Sequence, residues 1–114
     1  MINSLAQGIL QAGLDDWVPL AAIEGMARLR AGGPDLREAS LEAIEELLLN
    51  GLAEVGEVSD GGFLAWNQPP DDALTRIKEL WEHTDPNAWG FSVWVSNTPI
   101  GDQEAQRSSP PNVT

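Results

Sequence analysis

A chain of 114 residues with 42% hydrophobic and 21% charged residues has the make-up of one globular domain, large enough to bury roughly two-thirds of its unfolded surface without covalent staples. It contains no cysteine, which excludes disulfides, thiol nucleophiles and cysteine-bound zinc or iron–sulfur centres. Eighteen acidic residues stand against six basic ones, for a net charge of −12; that balance disfavours phosphate-rich and anionic-lipid partners and suits a basic one.

The elements follow in chain order. Ile2, Leu5, Ala6, Ile9, Leu10 and Leu14 recur at helical spacing and predict a first short helix ending near Gly13. Asp15 or Asp16 can cap a second helix over residues 17–29, with Pro19 tolerated in its first turn. Gly32, Gly33 and Pro34 stop that helix, and Asp35 with Glu38 forms a capping-box pattern for a third, which runs to about Asn50 and ends at Gly51. Residues 52–58 alternate as a half-buried strand does, Ser59-Asp60-Gly61-Gly62 is a hairpin turn, and residues 63–66 return. Pro70, Asp71 and Asp72 open a fourth helix with Leu74, Ile77 and Trp81 on one face. Asp85-Pro86-Asn87 ends that helix or follows it as a loop, and residues 89–96, rich in aromatic and β-branched side chains, read as the last strand. Residues 101–114 have no apolar period and read as a disordered tail behind a single domain of residues 1–100. The expected class is α+β in the order α-α-α-β-β-α-β.

Two helices joined by the Gly-Gly-Pro turn, the second leading straight into a hairpin, resemble a winged helix-turn-helix. The run Leu47-Leu48-Leu49-Asn50-Gly51-Leu52-Ala53-Glu54-Val55 is similar to the helix-to-wing junction of MarR-type regulators. Under that resemblance the third helix is the recognition helix and Ser59 to Gly62 the wing tip. The closing run Trp94-Val95-Ser96-Asn97-Thr98-Pro99-Ile100-Gly101-Asp102 is similar to one in small uncharacterised bacterial proteins. The resemblance speaks to fold; function rests on the residues themselves.

Those residues depart from a DNA reader. At 100° per residue, Glu38, Glu42, Glu45 and Glu46 fall within roughly a 100° arc of the third helix, opposite Leu41, Ile44, Leu47 and Leu48. Leu49 shares the acidic arc. A base-reading helix carries Arg, Lys, Asn or Gln there, and the wing tip, with Glu54 and Glu57 near it, has no basic residue. The expected function is a non-enzymatic acidic module binding a basic protein, of immunity, antitoxin or DNA-mimic type, through Glu38, Glu42, Glu45, Glu46 and Leu49, with Trp66 and Trp89 as further anchors. Trp17 and Trp81 are expected in the core. The alternative is a dimeric DNA-binding regulator using Arg28, Arg30, Arg37 and Ser40.

Nothing in the sequence implies catalysis, a cofactor or a metal site. His83 is the lone histidine, and no His-Glu-x-x-His, phosphate loop or EF-hand pattern is present. No stretch has the make-up of a signal peptide or a membrane span, so a cytoplasmic location is expected; the sequon at Asn112 then carries no sugar. A homodimer is compatible with all of this.

Overall fold

The structure, a computed structural model, describes residues 4–31, 36–83 and 89–108. Among these the chain is α+β, with five α-helices and a four-stranded antiparallel sheet. In order they are α1 (Ser4–Ala12), β1 (Val18–Pro19), α2 (Leu20–Ala31), α3 (Leu36–Leu49), β2 (Ala53–Ser59), β3 (Gly62–Ala65), α4 (Pro70–His83), a 3-10 turn (Trp89–Phe91), β4 (Trp94–Asn97) and α5 (Pro99–Ser108). The Gly32-to-Asp35 turn with its capping box, the Asp85-Pro86-Asn87 segment and residues 109–114 lie outside the described residues.

The end of α3 shows how local chemistry sets a boundary. Gly51 sits at φ 68°, its N–H donates to the Leu48 carbonyl at 3.2 Å, and the Leu52 N–H donates to the Leu47 carbonyl at 2.9 Å. This is a Schellman closure, in which a left-handed glycine satisfies the last carbonyls and the next residue, here buried Leu52, folds back onto the helix. The chain then enters β2, which turns through Asp60 and Gly61 into β3, with Ser59 opposite Gly62 and Val58 opposite Phe63.

Three features differ from the expectations. The stretch Val18–Pro19 is extended and pairs with Val95 and Trp94 of β4, so α2 begins at Leu20 rather than at residue 17. Pro19 fits an edge strand because its missing N–H has no ladder partner to lose there. Trp17, ahead of the strand, is 38% exposed and stacks on Phe63 at 6.1 Å between centroids, outside the core. The last strand is shorter than expected, since residues 89–91 form the 3-10 turn and pairing starts at Trp94; β4 lies between β1 and β2, giving the order β1-β4-β2-β3.

The third difference is α5, where an unstructured tail was expected. Its first turn is capped by Thr98: the Gly101 N–H donates to Thr98 Oγ1 at 3.1 Å, and Pro99 takes the first helical position, where a missing N–H costs nothing. The Thr98 hydroxyl also donates to the Gly51 carbonyl at 2.8 Å, and its N–H donates to the Leu52 carbonyl at 3.0 Å. Asn97 Nδ2 ties the same corner to α1, donating to the Leu10 carbonyl at 2.8 Å and to Asp102 Oδ1 at 3.0 Å. The helix packs on α1 through small residues, with Gly101 and Ala105 buried, so no apolar stripe announces it. Thr98→Ala is expected to lower stability by about 1–2 kcal/mol, from one lost cap and one lost hydrogen bond. Thr98→Ser should restore most of that loss in urea unfolding, because the hydroxyl is what both contacts use.

The core lies among the first four helices and the inner sheet face. Ile9 and Leu10 from α1, Leu20 and Ile23 from α2, Ile44 and Leu47 from α3, Ile77 from α4, and Val93 and Val95 around β4 are its large, fully buried apolar side chains. Helix α3 is packed by α1, α2 and α4 together. Its opposite face is therefore held rigidly in solvent.

Candidate functional site

Helix α3 positions the site. Ala43, Ile44 and Leu47 point into the core with no exposure beyond a trace, and the 3.6-residue repeat then turns Glu38, Glu42 and Glu45 outward. These three are exposed, Glu46 is half-buried, and Leu49 stands 64% exposed at the end of the row.

Two adjoining hollows run along this face. One, of about 360 Å³, lies between α3 and α4 and is lined by apolar Leu41 and Leu74, by Glu38, Glu42 and Glu45, and by Arg37 and Lys78. The second, of about 410 Å³, is lined by Glu42, Glu45, Glu46, Leu49 and Asn50. Glu42 and Glu45 line both hollows, which makes the two one continuous surface. Among the described residues, Glu42, Glu45 and Lys78 form no ion pair within 4.0 Å.

The cations are largely occupied elsewhere. Arg28 lies 3.7 Å from Glu24 one turn back on α2. Arg37 is 4.0 Å from Glu82 and sits 5.2 Å over the Trp81 ring; Trp81 is half-buried against the core. Arg76 covers the Trp66 ring at 4.0 Å and donates to Gln68 Oε1 at 3.4 Å, and Arg107 lies 3.6 Å from Glu104. Exposed pairs of this kind add little stability, but each guanidinium already faces its own carboxylate or ring. A phosphate would have to displace those contacts.

The anticipated residues therefore divide. Glu38, Glu42, Glu45, Glu46 and Leu49 come together on one face. Trp66 stands apart from them: among the described residues its buried Nε1 has no hydrogen-bond partner, and Arg76 covers one face of its ring. Ser40, named for the DNA-reading alternative, is wholly buried, because it falls on the core side of α3 one turn before Ile44; it cannot reach a base. The side chains of Arg30 and Trp89 lie outside the described residues. The residues that sequence reasoning missed are Leu74 and Lys78 of α4. Their i, i+4 spacing placed them on neighbouring turns, but only the packing of α4 against α3 carries them to Leu41.

The hairpin tip offers no counterpart for phosphate. Glu54, Glu57, Ser59, Asp60 and Gly61 are all exposed, and Arg and Lys are lacking from the strands. His83 is exposed in the last turn of α4, and among the described residues no three His, Asp or Glu side chains converge as a metal site requires. No described helix is long and apolar enough to cross a membrane. The chain matches no protein-family model, no curated protein and no solved structure, so the surface itself has to carry the functional argument.

Proposed function

We propose that this chain is a non-enzymatic acidic module of winged-helix-like build, whose exposed α3 face captures a basic protein. An immunity-type, antitoxin-type or DNA-mimicking inhibitor works in this way. The carrying observation is the row Glu38, Glu42, Glu45 and Glu46 on a helix clamped from behind, with Glu42 and Glu45 in no ion pair within 4.0 Å among the described residues. From 38 to 46 the helix rises about 12 Å. Four carboxylates over that length give one charge per roughly 3–4 Å, close to the axial charge spacing of about 3.4 Å along one DNA strand. A protein surface evolved to grip phosphates meets a similar density of negative charge here, on a helix whose backbone is already ordered before contact.

The α-α-hairpin succession, with α3 passing through Gly51 into β2 and β3, supports the winged-helix reading. The same elements in a DNA-binding regulator would present cations where this chain has carboxylates. Buried Ser40 and the engaged Arg28 and Arg37 leave that alternative with little to contact phosphate.

A low-salt mobility shift with mixed genomic fragments, run beside capture of proteins from the source-cell lysate over a salt gradient, separates the two. The module is expected to leave the DNA unshifted and to release its partner as salt rises, since long-range attraction between exposed charges is screened. Retarded DNA that salt releases would overturn the proposal.

A further inference from the structure

The α3 face is more than an acidic row, and its remaining features point to the shape of what it holds. The hollow lined by Leu41 and Leu74 and the exposed Leu49 give two apolar points, separated by eight residues of α3, or about 12 Å. Glu42 and Glu45 lie between those points and line both hollows. Arg37 and Lys78 line the same hollow as Leu41 and Leu74, so a uniformly cationic strand laid in the groove would meet repulsion there. An apolar contact at each end with positive charge between them fits Leu41, Leu74, Glu42, Glu45 and Leu49 together.

Resting on the basic-partner reading above, we propose that the occupant of the α3–α4 groove is an amphipathic α-helix of the partner, with two apolar side chains two turns apart and Arg or Lys between them. Residues i and i+7 of a helix lie on one face about 10.5 Å apart, close to the separation of the two apolar points. Residue i+4 then falls level with Glu45, and a long Arg or Lys side chain at i+3 leans back toward Glu42. The first apolar side chain seats on Leu41 and Leu74; the second covers Leu49, the large apolar side chain that the acidic arc of α3 leaves in water. The arrangement is the helix-in-groove mode of recognition, in which apolar anchors supply residence and flanking charges supply register and speed.

The experiment uses the full chain and fluorescence anisotropy of labelled four-turn helical peptides at low salt. The first peptide carries Leu at i and i+7 with Arg at i+3 and i+4. The second has the same composition with both Leu moved to the opposite face, so its charge is unchanged. The first is expected to bind about tenfold more tightly, and Leu49→Gln, a change at an exposed position that leaves folding intact, should remove several-fold of that advantage. Equal binding of the two peptides would overturn the helical occupant while leaving a basic partner in place. Absence of binding by both would overturn the two readings together. A concentration-dependent dimer in sedimentation that Leu49→Gln dissolves, with neither peptide competing, would assign the groove to a second copy and overturn the proposal in favour of self-association.

Discussion

Gly101→Ala is expected to destabilise the protein by about 3 kcal/mol, although it replaces glycine by the best helix former inside a helix. Two effects of opposite sign compete. Alanine in a helix interior is worth up to about 1 kcal/mol over glycine. Against that, a Cβ at position 101 would land on the Leu52 carbonyl oxygen, and it would also crowd Leu10 Cδ2. The obstacle is backbone at the start of β2, fixed by the Schellman closure behind it and by the Thr98 N–H on the same carbonyl. It cannot swing aside as a side chain would, so overpacking outweighs propensity. Urea unfolding should show the midpoint falling, with loss of α5 helicity ahead of the main transition. An unchanged midpoint would mean that α5 does not dock against the α3–β2 junction. The wider consequence concerns the site, because Thr98 braces the C-terminal end of α3 through the Gly51 carbonyl while Asn97 ties the same corner to α1.

The second large effect is on binding. Glu42→Lys combined with Glu45→Lys is expected to weaken capture of the proposed basic partner by about a hundredfold at low salt. A close charge pair at an interface couples by about 1.5 kcal/mol at the lower end of measured values, so two pairs lost together amount to about 3 kcal/mol, or a hundredfold in affinity. Both side chains are exposed and, among the described residues, form no ion pair, and folding stability should change by no more than about 0.5 kcal/mol. Binding by titration calorimetry and unfolding by urea, measured on the same variant, therefore separate a binding defect from a folding one. The difference between variant and parent should shrink as salt is added, since screening removes the part of the attraction that acts at a distance. Affinity unaltered by the double reversal would move the partner site off α3.

Part of this site was legible in the sequence because a single helix carries it. The 100° repeat sorts residues 38 to 49 into a core side and a solvent side without knowledge of any neighbour, and Glu38, Glu42, Glu45 and Leu49 stand in solvent, with Glu46 half-buried. Ser40 was misplaced for an instructive reason: a hydroxyl reads as polar, yet its position one turn before Ile44 commits it to the inner face. Lys78 and Leu74 were invisible as members of the site, since they belong to another helix and only its packing against α3 brings them there. Trp66 looked like an open anchor from its place at a strand end; Arg76, ten residues later, lies on its ring.

The sequence by itself determined the α+β class, the order of the three early helices and the hairpin, the closure of α3 at Gly51 and the acidity of its outer face. Each of these follows from interactions spanning a few residues: a left-handed glycine, a turn, a proline at a helix start, a repeat of three to four. The tertiary structure alone decided that Val18 and Pro19 form a strand, that β4 enters the sheet between β1 and β2, and that residues 99–108 form a helix rather than a tail. Two extended residues have no stability of their own and exist as a strand because β4 offers an edge to pair with. Helix α5 likewise packs through Gly101 and Ala105, residues too small to leave an apolar signature, and it holds because the Leu52 backbone ahead of β2 and Leu10 of α1 come close enough to need no larger side chain.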